Sequence, residues 1–117
     1  MRNSKQYDLE DRTLKFAEEV IKFVKNLPKT IANIEIIKQL VRASGSVGSN
    51  YIEANEALSK KDFAMRVKIC RKEAKESGYW LKLTEVNRED AEKQRKLLIQ
   101  EATELTKFFG SILEKTK

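Results

Sequence analysis

Histidine is absent from this 117-residue chain, which also contains only one cysteine, one proline and four glycines. Without imidazole there is no His general base, no Ser-His or Cys-His nucleophile pair and no His-containing metal site. A single cysteine excludes an intramolecular disulfide and is typical of a reducing compartment. So few turn-forming residues exclude a many-stranded β-sandwich or barrel. The apolar runs are too short to span a membrane and the polar start carries no signal peptide, so we expect a cytoplasmic protein.

What remains is the composition of a small helical protein. Hydrophobic residues make up 40% of the chain and charged residues 36%, enough for a core and a solvated surface in one domain. Apolar residues recur every three to four positions in four stretches, which predicts an all-α fold with a single domain over residues 1–117. Residues 1–7 are predicted to be a flexible tail. The predicted helices span residues 9–27, 31–58, 60–86 and 89–115.

Short links separate these helices, near Pro28, Ser59 and Asn87. Pro28 ends the first helix because proline cannot supply the next backbone N–H. Asp8, Ser59 and Asn87 are the predicted N-caps of the first, third and fourth helices. Because links this short join antiparallel neighbours, the sequence predicts an up-and-down four-helix bundle.

The third helix carries two apolar surfaces. One is a narrow stripe of mostly small residues that we expect in the bundle core: Phe63, Val67, Cys70, Ala74, Ser77, Gly78 and Leu81. The other lies roughly 120–160° away around the helix. A four-helix monomer buries one face per helix, so this second surface is predicted to contact another copy of the chain. The alternatives are that it lines a ligand pocket or that it is a core stripe in another register. The predicted oligomer-interface residues are Met65, Ile69, Trp80 and Leu83.

The net charge of +6 is concentrated in one segment, because residues 59–75 alone contribute +5. The cations of the third helix fall within about 100° of its circumference. A row of long cationic side chains beside an aromatic ring is typical of a contact with a phosphate backbone. The alternative interpretation is a solvated helix face, or ion pairing within an assembly. With no base-reading motif, binding is expected to be largely sequence-independent. The predicted nucleic-acid-binding residues, called the basic stripe below, are Lys61, Lys68, Arg71, Lys72, Lys75, Tyr79 and Lys82.

Other candidate sites have weaker support. The glutamate pairs Glu53/Glu56 and Glu73/Glu76 have the three-residue spacing that places carboxylates on one helix face, as in a site for a hard cation. Nearby lysines and arginines make surface ion pairs the favoured interpretation. Cys70 is predicted to be a buried structural thiol. We therefore predict no catalytic residue, no metal, no cofactor and no enzymatic activity.

Three segments resemble one known family in their order and spacing. They are VGSNYIEA at residues 47–54, SKKDF at residues 59–63 and KEAKESGYWL at residues 72–81. The family is the bacterial four-helix bundle proteins, also called ribosomal-RNA intervening-sequence proteins. The resemblance is most specific over the second and third helices, and the length and helix pattern fit the rest of the chain.

The resemblance implies a left-handed up-and-down bundle that assembles as a ring-like homopentamer. Some members are encoded inside intervening sequences of large-subunit ribosomal RNA genes. Relatives are accessory proteins of diversity-generating retroelements, in which a basic pentamer contacts a reverse transcriptase and nucleic acid. The family has no established enzymatic activity, so its matched motif positions receive only structural or assembly roles. Those positions are Asn50, Glu53, Asp62, Phe63, Glu73, Glu76 and Trp80.

Three hypotheses about function follow; the third, an enzyme or metal carrier with carboxylate ligands, is disfavoured because the chain has no histidine. In the first, the protein is a non-enzymatic oligomeric scaffold, pentameric by resemblance, whose basic surface binds RNA, DNA or a nucleic-acid-handling protein such as a reverse transcriptase. In the second, it is a purely structural or protein-interaction oligomer without nucleic-acid contact. None of these hypotheses involves a membrane.

Overall fold

Four helices account for most of the molecule. The computed structural model describes residues 4–117, with side chains from Leu9 onward, and it contains no strand within those residues. The helices are α1 Ser4–Lys25, α2 Ile31–Asn55, α3 Lys60–Leu83 and α4 Glu89–Lys115. They form an elongated bundle of 45 × 24 × 20 Å. The predicted all-α four-helix bundle is confirmed.

The bundle is organised around α3, against which both α2 and α4 pack extensively. Helix α1 closes the bundle against α2 and, with fewer contacts, against α4. The links between helices are four or five residues long, so consecutive helices run antiparallel. Over the residues described, none of the helices has an apolar stretch sufficient to span a membrane. The largest fully buried core side chains are Phe16, Phe23, Leu40, Leu81, Leu105 and Phe109.

Two of the helix starts match the expected capping chemistry. The Ser59 hydroxyl accepts a hydrogen bond from the Asp62 backbone N–H at 3.0 Å, so the predicted N-cap of α3 is confirmed. The Thr30 hydroxyl does the same for the Asn33 N–H at 3.1 Å at the start of α2. Each bond satisfies one of the backbone donors that a helix N-terminus leaves without an intrahelical partner.

The predicted start of the first helix is wrong. Helix α1 begins at Ser4, so Asp8 lies inside the helix and residues 4–7 of the predicted tail are helical. Residues 4–8 contain neither proline nor glycine, so none of them prevents α1 from extending towards the N-terminus. Residues 1–3 of the predicted tail lie outside the described residues.

Three predicted helix ends also shift, and the predicted N-cap of α4 is wrong. Helix α1 ends at Lys25, two residues earlier than predicted. Helices α2 and α3 end at Asn55 and Leu83, each three residues earlier than predicted. After α2 the Glu56 N–H bonds to the carbonyl three residues back, which tightens the last turn and ends the helix. Asn87 does not cap α4, because the N-cap is Arg88, whose side chain makes no capping hydrogen bond.

A bidentate ion pair holds α1 against α4. The Arg12 guanidinium donates to both carboxylate oxygens of Glu101 at 2.7 Å and to Glu104 at 2.8 Å. It also lies 4.9 Å above the centroid of the Phe108 ring. The hydrogen bond from Arg12 lowers the pKa of the Glu104 carboxyl. These contacts stabilise the sparsest helix pair of the bundle.

Asn33 fastens two links together at one end of the bundle. Its fully buried amide donates to the carbonyls of Pro28 at 2.8 Å and Glu85 at 2.9 Å. Its side-chain oxygen accepts from the Glu85 backbone N–H at 2.8 Å. One side chain therefore pairs backbone groups of the α1–α2 link with backbone groups of the α3–α4 link.

We predict that Asn33→Ala lowers the free energy of unfolding by about 2–4 kcal/mol, because it leaves three backbone groups without their partner. Urea titration followed by circular dichroism measures this loss. The matched control is Asn26→Ala, which removes one exposed 3.5 Å contact and is expected to change stability by less than about 0.5 kcal/mol. Equal effects of the two substitutions would contradict the role assigned to Asn33.

Gly48 permits the close approach of α1 and α2. A Cβ atom added there would lie 2.9 Å from Thr13 Oγ1 and 3.3 Å from Thr13 Cβ, closer than packed atoms tolerate. The buried Thr13 hydroxyl donates to the Leu9 carbonyl at 2.8 Å, which fixes its position in α1. A glycine inside α2 costs about 1 kcal/mol in helix propensity relative to alanine. At position 48 the absence of a side chain allows α1 and α2 to touch.

We predict that Gly48→Ala destabilises the wild-type protein by about 1 kcal/mol or more despite its better helix propensity. In a Thr13→Ala background, which removes the nearest colliding atom, the same change is expected to be neutral or stabilising. The double-mutant cycle, measured by urea unfolding, then yields a coupling energy of at least about 1 kcal/mol. A coupling near zero would show that Thr13 does not limit the size of residue 48.

Candidate nucleic-acid interface

The basic stripe forms one wall of an open groove between α3 and α4. The groove has a volume of about 990 Å³. Lys61 lies outside it, exposed in the first turn of α3. The other six predicted residues line the groove together: Lys68, Arg71, Lys72, Lys75, Tyr79 and Lys82.

The floor of this groove consists of small residues. Ala74 and Gly78 of α3 and Ala102 of α4 line this floor, and a Cβ atom added at Gly78 would lie 3.6 Å from the Ala102 Cβ, in van der Waals contact. Ala74 and Ala102 are buried. The long basic side chains therefore form a wall beside a floor of small apolar residues.

Helix α4 supplies the opposite wall, which the sequence analysis missed. Thr103, Thr106 and Lys107 line the groove from α4, together with Ile99. Thr103 and Lys107 are four residues apart and therefore share a helix face. That spacing was visible in the sequence, but only the packing of α4 on α3 shows that this face borders the basic stripe.

The charge of the groove is predominantly positive. Within residues 9–117, no ion pair joins a groove cation to an acidic side chain, although ion pairs occur elsewhere on the bundle. Glu76 is the acidic residue that lines the groove, and the charge of Lys107 contributes to the lowered pKa of the Glu104 carboxyl. Cations outnumber this acid along the groove, so its net potential is positive and attracts a polyanion. The groove cations are Lys68, Arg71, Lys72, Lys75, Lys82 and Lys107.

Tyr79 gives the groove an aromatic surface. Its ring is 58% exposed and packs edge-on against Trp80, with the centroids 5.1 Å apart and the ring planes at 76°. Trp80 is half-buried against the hydrophobic core. The Tyr79 ring is thus held in place from one side while much of it remains accessible, as base stacking requires.

The predicted oligomer interface lies on α3 between the basic stripe and α2. Met65 and Leu83 are exposed, whereas Ile69 and Trp80 are half-buried. We refer to these four residues as the α3 apolar face. Trp80 packs partly on the core of its own subunit, so part of its apolar surface is buried without a second copy.

Two glutamates border this apolar face, and their environment differs from the sequence-based interpretation. Glu73 is buried at 6% exposure, where a solvated surface ion pair was favoured. Its Oε2 atom faces the Arg42 guanidinium of α2 at 3.6 Å. Among the residues that the structure describes, Glu73 Oε1 and Glu76 Oε2 are buried without a hydrogen-bond partner. The periodicity placed both residues on one face but did not reveal how deeply α2 covers it.

The remaining candidate residues are the acidic side chains and Cys70. Over the described part of the chain, no three acidic or cysteine side chains converge as a metal site would require. Glu53 and Glu56 are exposed. Burial raises the pKa of the Cys70 thiol to about 12, so the nucleophilic thiolate is suppressed at neutral pH. Cys70 is a packed core residue, as predicted.

Asn50, one of the motif positions, joins α2 to α3. Its side-chain oxygen accepts from Arg66 Nη1 at 3.0 Å, and its amide donates to the Ser46 carbonyl at 2.8 Å. This bond lies on the same side of the α2–α3 contact as the Arg42–Glu73 pair. The structural role that the resemblance implied for Asn50 is therefore a polar link between the two helices.

The fold and this charged groove define the class of the protein as a four-helix bundle with one strongly basic helix face. The model of the 23S rRNA-intervening sequence protein family matches residues 5–111, and the chain belongs to that family. A solved structure similar to it is a Bacteroides thetaiotaomicron protein of unknown function from the S23 ribosomal protein family. The two chains are 31% identical with a TM-score of 0.78, over 94% of this chain and 98% of the other. None of the curated proteins matches the chain.

Proposed function

We propose that the protein is a non-enzymatic, cytoplasmic, oligomeric scaffold whose basic groove between α3 and α4 binds nucleic acid. The observation that carries this proposal is the set of six cations around one groove whose lining includes one acidic residue, Glu76, with no ion pair between these cations and an acid within the described residues. Like charges placed side by side repel one another, so the stability of the fold does not explain why so many cations are clustered here. A polyanion in the groove relieves this repulsion.

The chemistry of the groove favours phosphate contacts over base recognition. Lysine and arginine termini bind phosphate oxygens and release the counterions condensed on the nucleic acid, which supplies affinity independent of sequence. The exposed Tyr79 ring can stack on a base of any identity. We therefore expect RNA and DNA to bind with weak sequence preference, and an acidic surface of a nucleic-acid-handling protein, such as a reverse transcriptase, to compete for the same groove.

Self-association is the second part of the proposal. The α3 apolar face leaves Met65 and Leu83 about half exposed beside the half-buried Trp80. Burial of such a patch against another copy stabilises an assembly through the hydrophobic effect. The family resemblance makes a homopentamer the expected assembly. Five chains of charge +6 each then produce a stronger positive potential than a single chain does.

We predict that the wild-type protein elutes as an oligomer of about five times the 13.6 kDa chain mass, measured by light scattering coupled to size exclusion. Met65→Glu with Leu83→Glu places two carboxylates on the apolar face and is expected to yield the monomer with unchanged helicity. The control is Leu97→Glu, which changes an exposed leucine of α4 and should leave the mass unaltered. A wild-type monomer at micromolar concentration contradicts the scaffold proposal.

We predict that Lys68→Glu, Arg71→Glu and Lys75→Glu together abolish nucleic-acid binding at low salt without changing helicity or oligomer mass. A matched triple variant, with Lys22, Lys93 and Lys115 each changed to Glu, alters the net charge equally but leaves the groove intact, so it should retain most of the affinity. Filter binding at several salt concentrations measures both. If each engaged subunit neutralises about two phosphates, the wild-type log–log slope steepens by roughly two per subunit.

Two results would count against nucleic-acid binding through the groove. Equal loss in both triple variants would indicate a general charge effect. No binding by the wild-type oligomer at low salt would leave the second hypothesis, a structural or protein-interaction oligomer.

A further inference from the structure

Three lysines of the basic stripe form a straight row along α3. Lys68, Lys75 and Lys82 recur every seven residues, so they lie nearly in line on one side of the helix. All three are exposed, and all three line the groove. At a rise of about 1.5 Å per residue, the row is about 21 Å long. A ligand that places a phosphate at each of these lysines must therefore run parallel to the axis of α3.

The backbone of a nucleic-acid duplex does not follow such a row. Its strands wind around a common axis with one turn in about 34–36 Å, so each strand passes through more than half a turn over the length of the row. The phosphates of a duplex therefore move away from the line of lysines, and contact is confined to part of the row. A single strand has no such fixed winding, so its backbone can extend along α3.

Tyr79 lies between two lysines of the row. It follows Lys75 by four residues and precedes Lys82 by three, so the three side chains are neighbours on one face of α3. The Tyr79 ring is exposed and is supported edge-on by Trp80, with the ring centroids 5.1 Å apart. In a duplex the faces of the bases are covered by the bases above and below. A base of a single strand whose phosphates contact Lys75 and Lys82 has a free face that can stack on the Tyr79 ring.

The α4 wall of the groove offers little to a second phosphate backbone. The Thr103 hydroxyl donates to the Ile99 carbonyl at 3.0 Å, and the Thr106 hydroxyl donates to the Ala102 carbonyl at 2.7 Å. Both hydroxyl protons are thus used within α4 and are not available to a phosphate. Lys107 is the one cation among the α4 lining residues, whereas α3 supplies five. The groove is therefore suited to one backbone along α3, with its bases and sugars facing the more neutral wall.

Glu76 is the acidic residue of the lining, and its position leaves the row of lysines uninterrupted. On the helical wheel Glu76 lies toward the α3 apolar face, on the far side of Lys72 and Tyr79 from the row. Its Oε2 atom is buried there. A phosphate backbone that follows the row is therefore separated from this carboxylate by Lys72 and the Tyr79 ring.

We propose that the groove binds single-stranded nucleic acid in preference to a duplex, with the backbone along the lysine row and a base stacked on Tyr79. This inference rests on the proposed nucleic-acid binding, and it names the class of nucleic acid and the residue that selects it. Charge alone predicts the opposite order of affinity. A duplex carries twice as many phosphates as a single strand of the same length, so a purely electrostatic site binds the duplex more tightly.

Filter binding with oligonucleotides of equal length tests the preference. The probes are an oligouridylate and an oligothymidylate of about 12 nucleotides, which do not pair with themselves, and a DNA duplex of mixed sequence and the same length. We expect both single strands to bind at least about fivefold more tightly than the duplex at the same low salt concentration, because stacking adds to the phosphate contacts only in the single strand.

The intrinsic fluorescence of the protein provides a second measurement. Trp80 is the only tryptophan of the chain, and its ring contacts that of Tyr79. A base stacked on Tyr79 therefore changes the surroundings of Trp80. We expect the single strands to quench the tryptophan emission and a saturating concentration of the duplex to leave it unchanged.

Substitutions of Tyr79 separate stacking from charge. Tyr79→Ala should weaken single-strand binding about tenfold and leave duplex binding unchanged, whereas Tyr79→Phe should retain the wild-type preference. The matched control is Phe108→Ala, which removes an exposed aromatic ring of α4 that does not line the groove, and it should leave both affinities unaltered. Circular dichroism and the unchanged duplex affinity verify that the Tyr79 variants are folded.

The results distinguish this inference from the function on which it rests. If the duplex binds as tightly as the single strands or more tightly, the preference is wrong although nucleic-acid binding by the groove stands. The same conclusion follows if Tyr79→Ala keeps the wild-type affinity for single strands, or if it weakens single-strand and duplex binding equally. A wild-type protein that binds none of the three probes at low salt overturns both proposals.

Discussion

The close approach of α2 and α4 to α3 determines how the rest of this protein is arranged. It depends on small or buried side chains along one side of α3, among them Cys70, Ala74, Ser77 and Gly78, which let both neighbours pack against the same narrow stripe. Because so little of the circumference of α3 is needed for the core, most of its surface remains available. That surface carries the basic wall on the α4 side and the apolar, carboxylate-bearing face on the α2 side. A bulky residue in place of Ala74 or Gly78 would separate α3 from α4 and remove the floor of the groove.

The sequence predicted those features that depend on local chemistry and helical periodicity. Four amphipathic stretches, one proline and a Ser59 cap were sufficient to place four helices, because each is decided within a few residues of the chain. The core stripe of α3 and the clustering of the cations follow from a repeat of 3.6 residues per turn. The family motifs agreed with this interpretation, and Gly48 and Asn50 within them have clear packing and hydrogen-bonding roles in the structure.

Features that depend on which helices meet were not predictable from the sequence. Periodicity shows that Val41 and Ile52 share a face of α2, but only the packing of α1 shows that this face remains exposed. The same limit applies to Lys107, which borders the groove only because α4 lies beside α3, and to Glu73, which α2 buries. No sequence pattern indicates the role of Asn33, since its three hydrogen-bond partners belong to two links that are remote from each other in sequence. The start of α1 was misplaced because Asp8 has cap chemistry while lying inside a helix that nothing interrupts.

The central claim is that one assembly of this chain carries nucleic acid in the grooves of its α3 helices. Native mass spectrometry of the wild-type protein with a short RNA at low salt measures this most directly, because it reports the number of chains and of bound strands in one particle. The account predicts a complex of five chains with RNA bound, from which the RNA dissociates as salt is raised while the five chains stay together. A particle of one chain, or an oligomer that carries no RNA at low salt, would contradict it.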